Sequence, residues 1–140
     1  MRALGLDIGS RRIGVALSDS AGTLATPYEV VQRTGDRRQD HRRIAALVAE
    51  AEAEVVVVGL PLSLDGSQGP AADAVIAEAD ELRAALDVPV VLWDERLSTV
   101  EAERRLRATG LTGRARRRVV DQVAATVILQ SWLDADQPLG

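Results

Sequence analysis

Cysteine is absent from the 140 residues, and one histidine, His41, is the only imidazole. That excludes a disulfide framework, a thiolate metal site, a thiol nucleophile and a histidine-rich zinc centre. Lysine is missing as well: all 17 basic residues are arginine, and the aromatics are Tyr28, Trp93 and Trp132 alone. Any chemistry must therefore run on carboxylates, hydroxyls and guanidinium groups. Long apolar runs are also lacking. The longest are of strand length, far short of a membrane span, and Asp7 interrupts the N-terminal segment before a signal-peptide core can form. A soluble, cytoplasmic protein is expected.

What is present, 46% hydrophobic and 27% charged residues in 15.0 kDa, suits one compact domain over residues 1–140. A net charge of −4 and a pI near 5.0 argue against a protein that coats nucleic acid generally. The average conceals a division. Between Ile44 and Glu95 the only base is Arg83, against eleven acids. From Arg96 to Arg118 the acids are only Glu101 and Glu103, against Arg96, Arg104, Arg105, Arg107, Arg114, Arg116, Arg117 and Arg118. A charge run is ordinarily a solvated helix face. Arg114 to Arg118, however, follow Gly110-Leu-Thr-Gly113, whose glycines are expected to end one helix and leave the arginines on an exposed loop suited to clamping phosphate.

Hydrophobic patterning predicts strands over Arg2–Ile8, Ile13–Leu17 and within Leu24–Val31, joined by tight turns at Gly9-Ser-Arg-Arg12 and Asp19-Ser-Ala-Gly22. Arg37–Ala53 carries helical periodicity, Val55–Val58 reads as a buried parallel strand, and Val75, Ala79, Leu82 and Leu86 repeat at helical spacing. Pro89–Trp93 is the next buried strand, with helices expected over Thr99–Ala108 and Val119–Asp134. Hairpins first and helix-linked strands afterwards imply an α/β fold with a five-stranded mixed sheet, the first three strands antiparallel and the last two parallel, flanked by helices.

Three acids stand where such a fold builds sites. Asp7 lies near the end of an apolar strand, followed by Gly9; a turn-forming acid is the plain alternative. Asp94-Glu95-Arg96 follows the last strand, at the carboxyl edge where open α/β sheets bind ligands. The longer Glu95 is the candidate of the pair, with Asp94 forming the turn or supporting it. Ser98 and Glu101 then read as a helix capping box. Asp121 opens an apolar last helix, where interaction with the helix dipole is the plain alternative. The topology allows Asp7, Glu95 and Asp121 to converge, and three carboxylates at short range need a cation. An all-oxygen set selects a hard ion, Mg²⁺ or Mn²⁺, as in phosphodiester hydrolysis.

The segments Gly5-Leu-Asp-Ile-Gly-Ser-Arg-Arg-Ile-Gly-Val-Ala-Leu-Ser-Asp19, Gly59-Leu-Pro-Leu-Ser-Leu-Asp-Gly66, Asp94-Glu-Arg-Leu-Ser-Thr99 and Asp121-Gln-Val-Ala-Ala-Thr-Val-Ile-Leu-Gln130 together resemble the YqgF (RuvX) family of Holliday-junction-resolvase-like proteins. The resemblance spans nearly the whole chain. It implies a ribonuclease H-like fold, divalent-metal nuclease chemistry on Asp7, Glu95 and Asp121, and maturation of the 5′ end of pre-16S rRNA, with action on branched DNA as a further option. Ser63 and Leu64 depart from the Asn and Met usual in the family.

Around the acids, the glycine-bearing loop from Gly59 to Pro70 opens a helix whose backbone N–H groups suit a phosphate, against a plain Asp65-Gly66 turn. Arg11 and Arg12, in the turn beside Asp7, either bind substrate phosphate or face solvent. Arg96 either orients Glu95 or contacts the scissile phosphate, while Arg114, Arg116, Arg117 and Arg118 hold nucleic acid. His41, set among arginines, is expected on the surface and Trp132 in the core. Two other functions compete with the nuclease. One is a non-catalytic ribosome-assembly module that only holds RNA; the other is an actin- or hexokinase-like nucleotide-binding protein, against which the length of the chain argues. A monomer and a homodimer are both compatible with the sequence.

Overall fold

The computed structural model describes residues 1–96 and 113–135, with side chains from Gln122 onward in the second segment. Among these residues five strands form one mixed sheet in the order β3-β2-β1-β4-β5. The hairpin strands β1 (Ala3–Ile8), β2 (Arg12–Ser18) and β3 (Ala25–Gln32) are antiparallel, while β4 (Val55–Leu60) runs parallel to both β1 and β5 (Val90–Asp94). That is the arrangement the element order implied. Pro27 is tolerated within β3 because the strand is at the sheet edge, at the irregularity where β2 shifts register between Val15 and Ala16.

Side-chain size separates the two faces. Successive residues of β1 point to opposite sides: Leu4 and Leu6, with Val56 and Val58 of β4, join a core of large aliphatics built with helices α1 (Arg37–Ala51) and α2 (Pro70–Ala85). Ala3, Ala16, Ala25, Val55 and Val57 face the other way, against Ala125, Ile128, Leu129 and Trp132 of helix α3 (Gly113–Asp134). Small residues let α3 approach closely. A Cβ placed on Gly5 would stand 2.7 Å from Leu129 Cβ and 3.1 Å from the Ala125 carbonyl oxygen. Trp132 is 3% exposed, in the core as expected.

Helix α1 begins where Asp36 accepts hydrogen bonds from the backbone N–H groups of Arg38 and Gln39. It ends two residues before the predicted Ala53, because Glu52 takes the left-handed conformation and turns the chain toward β4. Helix α2 starts at Pro70, whose fixed φ suits a first helical position.

Helix α3 corrects one expectation. It starts at Gly113, six residues before Val119, so Arg114, Arg116, Arg117 and Arg118 lie in its first turns rather than on a loop. Arginine is a strong helix former, and nothing after Gly113 breaks the run. The side chains of these arginines, the predicted helix Thr99–Ala108 and its capping pair Ser98 and Glu101 lie outside the described residues.

Candidate active site

Two of the three candidate acids stand at the carboxyl ends of parallel strands and line one cleft of about 660 Å³. Asp7 is the penultimate residue of β1, on the pleat shared with Ala3 and Gly5, toward the α3 side of the sheet. The register Leu6 to Val58 makes Gly59 its next neighbour on β4. Glu95, directly after β5, donates its backbone N–H to the Leu60 carbonyl (3.3 Å). Its side chain then lies back over Gly59. A Cβ there would meet Glu95 Oε2 and Ile128 Cδ1, each at 2.5 Å. Glycine at residue 59 thus vacates the space that the Glu95 carboxylate occupies. Burial, and then the charge of Asp94, push the Glu95 carboxyl up from its ordinary value. A carboxylate in that setting gains from a cation.

Asp121 is carried by α3, one turn before Ala125 and therefore toward the strand ends; its side chain is outside the described residues. Among the described residues no three His, Asp or Glu side chains group as a metal site. The donor set that is described, Asp7 and Glu95, consists of oxygens only and fits a hard divalent ion.

Asp94 forms the turn, as one of its two expected roles had it. It accepts from the Arg96 backbone N–H (3.0 Å) and pairs with the Arg96 guanidinium, whose hydrogen bonds hold the Asp94 carboxyl below its ordinary value. Arg96 is therefore committed to Asp94, and it also donates to the Leu64 carbonyl at 3.4 Å. Arg11 is exposed in the β1–β2 turn and Arg12 half-buried beside it. In the loop after β4, Asp65 accepts from the Ser67 backbone N–H (2.9 Å), and the Gly66 N–H donates to Ser63 (2.7 Å) with Gly66 at φ 89°. This is the Asp65-Gly66 turn.

The sequence did not mark the buried ionic group on the wall of the same cleft. Arg33 spreads its three guanidinium nitrogens over the Gly9 carbonyl (Nη1, 2.8 Å), Asp40 (Nε, 3.3 Å) and Glu78 (Nη2, 2.5 Å). Asp40 also accepts from the Thr34 hydroxyl and backbone N–H. Burial alone would raise both carboxyls. The Thr34 and Arg33 hydrogen bonds at Asp40, and those of Arg33 and His41 at Glu78, outweigh it and hold both below their ordinary values. His41 is a further correction: it is 4% exposed, with Nε2 2.8 Å from Glu78 Oε2. Its helical spacing to Ile44 and Val48 puts it on the inward face of α1, and that spacing was the overlooked signal. For Glu78 the signal is its position between Val75 and Leu82, on the buried stripe of α2.

The RuvX family model, described as Holliday junction resolvase, matches residues 1–135. The chain belongs to the RuvX family. Proteins named "putative pre-16S rRNA nuclease" from Desulforudis audaxviator and Myxococcus xanthus are 50% and 49% identical to it. The alignments cover 96% of this chain and 95% of the first relative, and 99% and 91% for the second. Among solved structures, T. thermophilus RuvC in complex with a Holliday junction substrate aligns at a TM-score of 0.55 with 20% identity, covering 99% of each chain. That likeness shows the ribonuclease H-like fold. RuvX membership makes the chain a nuclease, a hydrolase acting on ester bonds.

The fit of Glu95 over Gly59 yields a first prediction. Gly59→Ala is expected to preserve the fold, because the displaced atoms are the ends of two flexible side chains. It is expected to lower kcat about a hundred-fold by moving the Glu95 carboxylate. A thermal melt within a few degrees of wild type together with lost turnover supports this; full turnover in the variant overturns it.

Proposed function

We propose that residues 1–140 form a single divalent-metal-dependent nuclease domain that processes the 5′ end of pre-16S rRNA in the cytoplasm. The observation that carries this is the pair Asp7 and Glu95 at the ends of β1 and β5, lining one cleft in a chain of the RuvX family. Asp7, Glu95 and Asp121 are the residues that would hold Mg²⁺ or Mn²⁺. Such an ion supplies an activated water and a Lewis acid for the phosphodiester.

The chain's own groups prepare that edge. Gly59 lets Glu95 lie in partial burial, where the desolvated carboxylate interacts strongly with positive charge. Arg96, fixed on Asp94, keeps a guanidinium at the rim instead of over the acids. Arg11, Arg12 and Arg96, with Arg114, Arg116, Arg117 and Arg118 in the first turns of α3, provide the phosphate-holding charge. The description of the family as Holliday junction resolvase favours branched DNA as a second substrate. No helix among the described residues is long and apolar enough to cross a membrane.

The test is direct. Purified protein is incubated with an RNA spanning the pre-16S 5′ junction and with a four-way DNA junction, in Mg²⁺ or Mn²⁺ and in chelator. Cleavage that requires the ion and returns when Mn²⁺ is restored is expected. Cleavage that continues in chelator overturns the metal dependence, and salt-sensitive binding without any cleavage favours an assembly module instead.

A further inference from the structure

The most exposed large apolar side chain among the described residues is Leu64, at 94%. The next, Leu24 and Met1, are at 58% and 46%. Single exposed leucines are common and ordinarily carry no message. Leu64 differs in where it is held. It sits at the tip of the β4–α2 loop, which is closed on itself by Ser63 N–H to the Ser67 carbonyl (3.0 Å) and Gly66 N–H to the Ser63 carbonyl (2.7 Å). The tip is also tied to the candidate active site. Arg96, next to Glu95 in the chain, donates to the Leu64 carbonyl at 3.4 Å, and a Cβ on Gly66 would stand 3.3 Å from the same guanidinium nitrogen. An apolar side chain is thereby presented to solvent on a hydrogen-bonded loop whose flanking residues Pro61 and Ala71 line the same cleft as Asp7 and Glu95.

The aromatic side chains cannot fill that position. Tyr28 packs on the α1–α2 core and bonds Glu50, Trp93 donates to the Ser131 hydroxyl, and Trp132 is buried. With the aromatics held elsewhere, Leu64 is the large exposed apolar group beside this cleft among the described residues. Leucine serves elsewhere as a wedge that enters between base steps and unstacks them. We propose that Leu64 inserts at the base step beside the phosphodiester that reaches the two acids. The wedge favours nucleic acid in which that step is already weakly stacked, at a branch, a bulge or the boundary between duplex and single strand. The energetic reason is that unstacking costs more at a continuous duplex step than at an interrupted one.

The proposal rests on the nuclease reading, and its test separates the two. The probe is an RNA hairpin with 2-aminopurine, a base whose fluorescence rises on unstacking, placed at the junction of stem and single strand. The full chain is added with Ca²⁺ to slow cleavage, and kcat and KM are then measured in Mg²⁺. Wild type is expected to raise the fluorescence. Leu64→Ser is expected to abolish the rise and to increase KM about ten-fold while leaving kcat within about two-fold, and Leu64→Met to restore both. Because the side chain is exposed, the melting temperature of either variant should match wild type. An equal rise and equal KM in Leu64→Ser overturn the proposal while leaving the nuclease assignment intact. A wild-type protein that binds and cleaves neither the hairpin nor a four-way junction overturns both. Weaker binding by Leu64→Ser with an undiminished rise shows contact without insertion, and that also overturns the proposal.

Discussion

Asp7→Asn is expected to cut nucleic-acid hydrolysis by about a thousand-fold or more, a barrier increase of about 4 kcal/mol, without lowering the melting temperature. Asparagine keeps the shape of the side chain but removes one unit of negative charge from the cleft that Glu95 shares. Whatever cation the cleft takes is then held by fewer charged oxygens, and the phosphodiester chemistry loses its anchor on β1. Calorimetric titration of Mn²⁺ should show weaker binding alongside the lost turnover. Full turnover by Asp7→Asn would remove Asp7 from the proposed site. Asp7 sits in an apolar strand ended by a glycine-bearing turn, and a purely turn-forming acid would give the opposite pattern, with stability falling and rate unchanged.

The second large effect concerns stability. Arg33→Met leaves Asp40 and Glu78 buried without the guanidinium that joins them, and breaking a buried ion pair by removing one partner costs about 3–5 kcal/mol. For a chain of this size that corresponds to a fall in melting temperature of about 10–15 °C at neutral pH. The pH dependence has a definite direction. In the wild-type protein both carboxyls titrate below their ordinary values, so the stability they bring is present above the unfolded-state pKa and lost as the pH falls through the folded one. In the variant the lowering by Arg33 is lost while the Thr34 bonds at Asp40 and the His41 bond at Glu78 remain, so both carboxyls titrate higher than in the wild type and less stability is lost as the pH falls. The gap between the two proteins should therefore narrow between pH 7 and pH 4. Thermal melts across that range check it, and a constant gap would show that the carboxylates are not the source of the loss.

Sheet topology was readable in the sequence because hydrophobic period and turn chemistry agree along β1, β2 and β4. Alternation in Ala3–Ile8, glycine at the first turn and an unbroken Val55–Val58 leave few ways to order the strands. The position of Glu95 was legible for a related reason: it follows an apolar strand that has to end at a carboxyl edge. Less legible were features that depend on which way a polar side chain points on a helix. Arg37–Arg43 reads as a charged surface, yet Asp40 and His41 turn inward while the neighbouring arginines stay outside. No local propensity distinguishes a solvated acid from one that awaits Arg33 of another element. Glycine placement misled in one case, since Gly113 opens a helix where the sequence suggested a loop.

The missing side chain at Gly5 sets more than a packing distance. Gln130 accepts from the Ala25 N–H near the start of the sheet, while the Ala125 carbonyl lies against Gly5, so α3 runs antiparallel to β1. One helical turn from Ala125 to Asp121 advances about 6 Å, and one pleat from Gly5 to Asp7 advances about 6.7 Å. Beyond the contact at Gly5, the backbones of Asp121 and Asp7 therefore stand at similar distances along α3 and β1. The gap between sheet and helix acts as a calliper whose opening is fixed in the middle of the core. A side chain added at Gly5 would press on Leu129 and on the Ala125 carbonyl, and so would act on the whole helix rather than on one neighbour.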